Sequence, residues 1–190
     1  MPNLKRLYLS SVSPSLIDLT KLRESCPFLM YLTLDGVSLK LEYPTKEEIN
    51  SPLNDDLIFH HLIELRIISA HINCEPLDPL LIVYLLTKMT KGIKCLHLDH
   101  CENFKEENFL SLFQEHSLTQ IEDIRLSRAS GLSDKVIHLL TRECPRLKRL
   151  VLTMLPRERK GELELLKAYL KDNNVNLEII TFTNKSFILG

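Results

Sequence analysis

The stretch Glu143-Cys144-Pro145-Arg146-Leu147-Lys148-Arg149-Leu150-Val151-Leu152-Thr153 decides the fold of this chain. Its L-x-x-L-x-L spacing places Leu150 and Leu152 on one face of a short strand. Arg149, Val151 and Thr153 fall on the other face, because successive side chains of a strand alternate. With Ile or Phe replacing some leucines, the pattern occurs seven times, as Leu4-Leu7-Leu9, Leu29-Leu32-Leu34, Leu62-Leu65-Ile67, Ile93-Leu96-Leu98, Ile121-Ile124-Leu126, Leu147-Leu150-Leu152 and Leu177-Ile180-Phe182. The first residues of successive copies are 25, 33, 31, 28, 26 and 30 apart. A single short strand cannot bury its apolar face, so repeated copies must stack into one parallel sheet with a shared core.

The segments between the strand motifs carry helical spacing. Leu16, Leu19 and Leu22 precede Cys26, and Phe109, Leu110, Leu112 and Phe113 predict a helix over 106–116. Val136, Ile137 and Leu140 predict another, with Ser133 as its N-cap and Asp134 in its first turn. Leu163, Leu165, Leu166 and Leu170 predict a helix over 162–172. The apolar run Leu80–Leu86 lies between two strand motifs beside Pro79, which favours helix over strand. Residues 39–56 contain Pro44, Pro52 and the run Thr45-Lys46-Glu47-Glu48, and are expected to form an irregular loop followed by a short helix near 54–61. Strands alternating with helices give an α/β chain with a parallel sheet.

Composition narrows the functional classes. Lys+Arg is 24 and Asp+Glu is 25 among 190 residues, a formal net charge of -1 that gives no general pull toward nucleic acid or membrane. The five cysteines, Cys26, Cys74, Cys95, Cys101 and Cys144, are odd in number and scattered, which suggests reduced thiols and a cytoplasmic or nuclear setting. No phosphate-cradling glycine loop or nucleophile elbow occurs, so the chain is expected to be neither an enzyme nor a cofactor binder. Cys95, His97 and Asp99 alternate near His100 and Cys101 and invite a metal reading. Ligands two apart on one strand close a tetrahedral site poorly, and Asp123 and Arg125 on the next strand include a cation, so no metal is expected. Arg146, Lys148, Arg149, Arg157, Arg159 and Lys160 form a basic cluster diluted by Glu143 and Glu158, read chiefly as a solvated face.

Gly131-Leu132-Ser133-Asp134-Lys135-Val136-Ile137-His138-Leu139-Leu140, followed by Glu143-Cys144-Pro145-Arg146-Leu147-Lys148-Arg149-Leu150-Val151-Leu152, resembles the cysteine-containing leucine-rich repeats of F-box proteins, the substrate receptors of cullin-type ubiquitin ligases. Cys26-Pro27-Phe28-Leu29-Met30-Tyr31-Leu32-Thr33-Leu34 repeats the second half, and Leu96-His97-Leu98-Asp99-His100-Cys101 supplies the cysteine that follows the strand in this class. The resemblance covers most of the chain. It implies a single leucine-rich-repeat solenoid over 1–190, with about seven units, a curved parallel sheet on the concave side and helices on the convex side. It also implies a protein-binding module, either the substrate-recognition repeats of an F-box-type ligase or a scaffold or inhibitor without an F-box. The chain opens inside a strand motif at Leu4 and lacks an obvious polar cap at either end, so a fragment of a longer array is expected, with any F-box and its link to ligase core subunits upstream.

The partner-binding residues then follow from alternation. Those preceding the middle core position are Arg6, Tyr31, Glu64, Cys95, Asp123, Arg149 and Ile179. Those following it are Tyr8, Thr33, Arg66, His97, Arg125, Val151 and Thr181, with Asp99 beyond His97. Tyr and Arg are the residue types that most often anchor interfaces.

Overall fold

A computed structural model describes residues 3–10, 16–36, 38–40, 59–68, 77–88, 92–114, 118–154, 160–172 and 176–182. The strands are β1 (Arg6–Ser10), β2 (Leu16–Asp18), β3 (Tyr31–Asp35), β4 (Ser38–Lys40), β5 (Glu64–Ile68), β6 (Cys95–Leu98), β7 (Asp123–Ser127), β8 (Arg149–Thr153) and β9 (Glu178–Phe182). The helices are α1 (Leu19–Ser25), α2 (Pro79–Lys88), α3 (Glu106–Gln114), α4 (Asp134–Glu143) and α5 (Lys160–Asp172). The chain is α/β. Seven strands form one sheet in the order β1-β3-β5-β6-β7-β8-β9, with every neighbouring pair parallel.

The helices pack on one face of this sheet because the strands supply leucines there. Leu32 and Leu34, Leu65 and Ile67, Leu96 and Leu98, Ile124 and Leu126, and Leu150 and Leu152 share one buried cluster with residues of the helices. Those helical residues include Ile82 and Leu85 of α2, Phe109 and Phe113 of α3, Val136 and Ile137 of α4, and Leu163 and Leu170 of α5. Burying an aliphatic or aromatic side chain of this size is worth about 1.5–3 kcal/mol, so the shared cluster is the main support of the sheet.

A repeated hydrogen-bond device sets the strand positions. At the start of β3, β5, β6, β7 and β8 two successive N–H groups converge on one carbonyl of the preceding segment. Met30 and Tyr31 use Lys5, Ile63 and Glu64 use Met30, Lys94 and Cys95 use Ile63, Glu122 and Asp123 use Lys94, and Lys148 and Arg149 use Glu122. Cys26 and Cys144 have identical duties just before this device. Each donates its N–H to the carbonyl four residues back, Leu22 or Leu140, and accepts from the residue three ahead, Leu29 or Leu147. Both are buried, as a small apolar thiol suits a crowded helix-to-strand junction.

A second device ends the strands. Gly36, His100, Arg128 and Met154 occupy equivalent positions beyond β3, β6, β7 and β8, and all have φ between 55° and 61°. Only glycine takes this left-handed conformation without cost, and a non-glycine residue pays on the order of 1–3 kcal/mol. The turn is held by the next strand: Gly36 N–H donates to Ile68, Arg128 N–H to Thr153 and Met154 N–H to Phe182, each at 3.0 Å. Gly131 serves another purpose. A Cβ there would collide with the carbonyl oxygen of Phe104 and come within 2.9 Å of the Lys105 backbone. The approach of these two segments therefore requires glycine.

The expected helices appear with recognisable caps. Ser133 Oγ accepts from Val136 N–H at 3.4 Å at the start of α4, with Asp134 in the first turn. Pro79 opens α2, where a missing N–H costs nothing, and Asp78 Oδ1 accepts from Leu80 N–H at 2.9 Å.

Five expectations need correction. Leu16 belongs not to a helix but to β2, which pairs parallel with β4 in a separate two-stranded sheet. That pairing also takes Leu39 and Lys40 out of the expected loop 39–56, whose remainder lies outside the described residues. Phe59 makes a β-bridge and His60 and His61 form a turn, in place of the end of a helix. On α5, Leu163 and Leu170 enter the core, but Leu165 is 75% exposed. The apolar stripe there is narrower than the leucine count suggested, because positions two apart on a helix diverge by about half a turn.

The largest correction concerns β9. Ile179 pairs with Leu150, and Ile180 with Val151. Ile179 therefore belongs to the core row, where it is buried, and Ile180 belongs to the opposite face. Thr181 pairs with Leu152 and so leaves the outward row too. The junction length explains the register. Ser25 to Tyr31, Glu143 to Arg149 and Asp172 to Glu178 are each six residues from helix end to strand start. Glu178 N–H also donates to Lys148 O, as Arg149 N–H does to Glu122 O. These constraints override a motif that counts from Leu177.

Candidate functional site

The face opposite the helices carries two rows of side chains across the strands. Register places Arg6, Tyr31, Glu64, Cys95, Asp123, Arg149 and Glu178 in one row. It places Tyr8, Thr33, Arg66, His97, Arg125, Val151 and Ile180 in the next. Apart from Ile179 and Thr181, replaced by Glu178 and Ile180, every strand residue expected on this face lies on it. Asp99 stands one residue beyond β6, and its Oδ1 accepts from the His100 N–H at 3.0 Å. The carboxylate is thus committed to the left-handed turn.

The centre of the face is built from acids below and arginines above. Asp123 is 8% exposed. Its carboxylate receives Arg125 Nε at 3.2 Å and Arg125 Nη2 at 3.4 Å. Arg149 from the adjacent strand adds Nε at 2.6 Å and a closer Nη2 contact. Arg66 Nε meets Glu64 at 2.6 Å on its own strand. The side chains of Arg66, Arg125 and Arg149 remain 46%, 43% and 44% exposed. Exposed ion pairs contribute little stability. Their effect here is positional, since each carboxylate fixes one edge of a guanidinium and leaves the rest facing solvent.

His97 lies between Arg66 and Arg125 in the register. Burial pushes its pKa below the ordinary histidine range, opposed by Asp99 and reinforced by the two arginines. It is therefore uncharged at neutral pH. Cys95 lies between Glu64 and Asp123, and burial with these carboxylates raises its thiol pKa. Val151 is buried yet stands apart from the helix-side core, as its place on the opposite face requires.

The β1–β3 end is aromatic. Arg6 lies over the Tyr31 ring at 4.3 Å from its centroid. Tyr8 donates its hydroxyl to Asp35 Oδ2 at 2.7 Å, and this bond raises the Tyr8 pKa. Asp35 was missed in the sequence, although it lies two residues beyond Thr33 and so shares its face by strand alternation. A second cluster was missed at the strand ends. His100 Nδ1 lies 3.2 Å from Arg128 Nη1, and Arg128 also meets Glu102 at 3.3 Å. Their separation of 28 residues is the spacing of the β6 and β7 motifs, which makes them neighbours across the strands; the left-handed turn that each adopts carries no signal in the sequence.

The Cys95, Cys101 and Cys144 thiols are poorly suited to chemistry. Cys26, Cys95, Cys101 and Cys144 are free, and Cys74 lies outside the described residues. Burial pushes Cys144 up to about 12, and Cys101, with Sγ 3.6 Å from Leu98 O, is raised further. A thiol held protonated is a poor nucleophile and a poor metal ligand. Among the described residues no three His, Cys, Asp or Glu side chains are grouped to hold a metal ion. Among them, too, no helix is long and apolar enough to cross a membrane. Of the basic cluster, Arg157 and Arg159 lie outside the described residues, and Lys148 is paired with Glu122 at 2.7 Å.

The sequence matches no protein-family model, and no curated protein is detectably similar to it.

Proposed function

We propose that this chain is a leucine-rich-repeat solenoid of the cysteine-containing class that docks a protein on its open sheet face. In that reading it supplies the substrate-recognition repeats of an F-box-type ubiquitin ligase, in the cytoplasm or nucleus. The observation that carries the docking role is the layered centre of the face, where Asp123 and Glu64 hold three half-exposed arginines in fixed orientations. Side chains already ordered lose less freedom on binding than free ones do. The ligase role rests on the repeat resemblance alone. Binding, not catalysis, is the activity proposed, and the raised thiol pKa values support that reading.

Capture from a cell lysate tests the docking face when two variants are compared with the parent chain. Arg125→Ala should weaken retention of specifically bound protein about tenfold or more. Lys135→Ala, on the helix side, should leave it unchanged. Equal loss or equal retention in both variants would remove the open face from the function. A longer gene product that includes the sequence upstream of Met1 tests the ligase role. Recovery of ligase core subunits supports it, whereas partner capture without them favours a scaffold.

A further inference from the structure

The two ends of the seven-stranded sheet are complementary to each other. β1 and β9 each have one described neighbour, β3 and β8. Leu7 and Leu9 of β1 belong to the helix side of the sheet but are only half-buried, whereas Leu150 and Leu152 in its middle are fully buried. Tyr8 at one end and Phe182 at the other are 61% and 49% exposed. A sheet edge with apolar side chains of this kind is a template for a further strand. Neighbouring strands of the sheet keep one alignment throughout, in which Arg6, Tyr31 and Glu64, or Asp123, Arg149 and Glu178, stand side by side. Continued by one strand, that alignment sets β1 of a second copy beside β9, with Arg6 opposite Glu178, Leu7 opposite Ile179 and Tyr8 opposite Ile180. A slip of one residue would turn Leu7 and Leu9 away from the helix side.

We propose that copies of this chain associate head to tail, with β9 of one pairing parallel with β1 of the next and Glu178 set against Arg6. The inference stands apart from the docking and ligase roles. Charge selects the partner strand. Arg6 and Glu178 are both exposed, and Arg149, the neighbour of Glu178 on β8, is already committed to Asp123. Arg6 stacks the plane of its guanidinium on Tyr31, which leaves its N–H edges for a carboxylate. The backbone supports the same pairing. Leu177 precedes β9 as Glu122 precedes β7 and Lys148 precedes β8, and the carbonyls of Glu122 and Lys148 accept N–H groups from the start of the next strand. The Leu177 carbonyl is placed to do so for Arg6. An exposed ion pair adds little affinity, so strand pairing and the apolar contacts supply most of the association, and the charges fix which edges meet. Because the two surfaces differ, the contact propagates into an open chain of copies or closes as a ring.

Sedimentation velocity of the 190-residue chain over a range of loading concentrations tests the inference. The mean mass should rise with concentration beyond that of one copy. Glu178→Arg and Arg6→Glu should each weaken association about tenfold or more, since each sets like charges opposite one another. An equimolar mixture of these two variants should recover it, because each reversed end then meets the opposite sign on the other variant. That recovery also separates a lost contact from a lost fold. Lys135→Glu, on the helix side, should leave association unchanged. A single copy at every concentration overturns the inference. So does association that survives both reversals, or that mixing the two variants does not recover, since either result places the contact on another surface. A longer gene product that stays monomeric while the 190-residue chain associates overturns it too, because further units of the same chain then cover β1 and β9.

Discussion

The β6–β8 region and the β9 end of the sheet are built from the same pattern, yet they bury it to different degrees. In β6, β7 and β8 both inward residues of each strand, from Leu96 to Leu152, are at most 1% exposed. In β9 Ile179 is buried, but its partner in the inward row is the polar Thr181. The helices differ in the same sense. Val136, Ile137, Leu139 and Leu140 of α4 are all buried, whereas Leu165 and Tyr169 of α5 are 75% and 49% exposed. β9 has one described neighbour, β8. Apolar spacing therefore becomes a core only where neighbouring units cover it from both sides, as expected for stacked units that cannot bury a face alone.

The strongest way to break this contrast is Leu150→Asp. It places an unpaired carboxylate at a fully buried position of the β6–β8 region and should cost more than about 4 kcal/mol, enough to unfold the chain. Circular dichroism should show loss of the cooperative thermal transition. A persisting native transition would mean that Leu150 faces the open side.

Gly131→Ala probes the close approach within the same region at smaller cost. The added methyl meets the Phe104 and Lys105 backbone, which flexible side chains cannot relieve, and should destabilise by about 1–3 kcal/mol. A denaturant midpoint equal to that of the parent would show that these two segments are farther apart.

The smallest effect sharpens the other side of the comparison. Ile179→Ala should destabilise by roughly 1–2 kcal/mol, since Ile179 lies at the less covered margin of the core, and Ile180→Ala should cost less than half of that. The reverse order in parallel denaturation curves would restore the register counted from Leu177.

These expectations mark where the sequence was legible. The L-x-x-L-x-L copies gave the seven strands, and the expected open-face rows hold from Arg6 through Val151 because strand alternation converts spacing directly into facing. β9 failed that test because Ile179 and Ile180 are adjacent and both apolar, so alternation alone favours neither register. Of the candidate site, the residue identities were readable but not their partners. Nothing in the spacing of Asp123 and Arg149, 26 residues apart, says that one carboxylate would hold two arginines.

The sequence by itself determined the α/β class, the parallel stacking and most of the facing of each strand, because these follow from apolar period and local capping, which act over a few residues. The tertiary structure alone decided the β9 register, the left-handed turns at His100, Arg128 and Met154, and the layering of acids beneath arginines. Each of those depends on hydrogen bonds or ion pairs between segments distant in the chain, whose geometry exists only once neighbouring strands have paired.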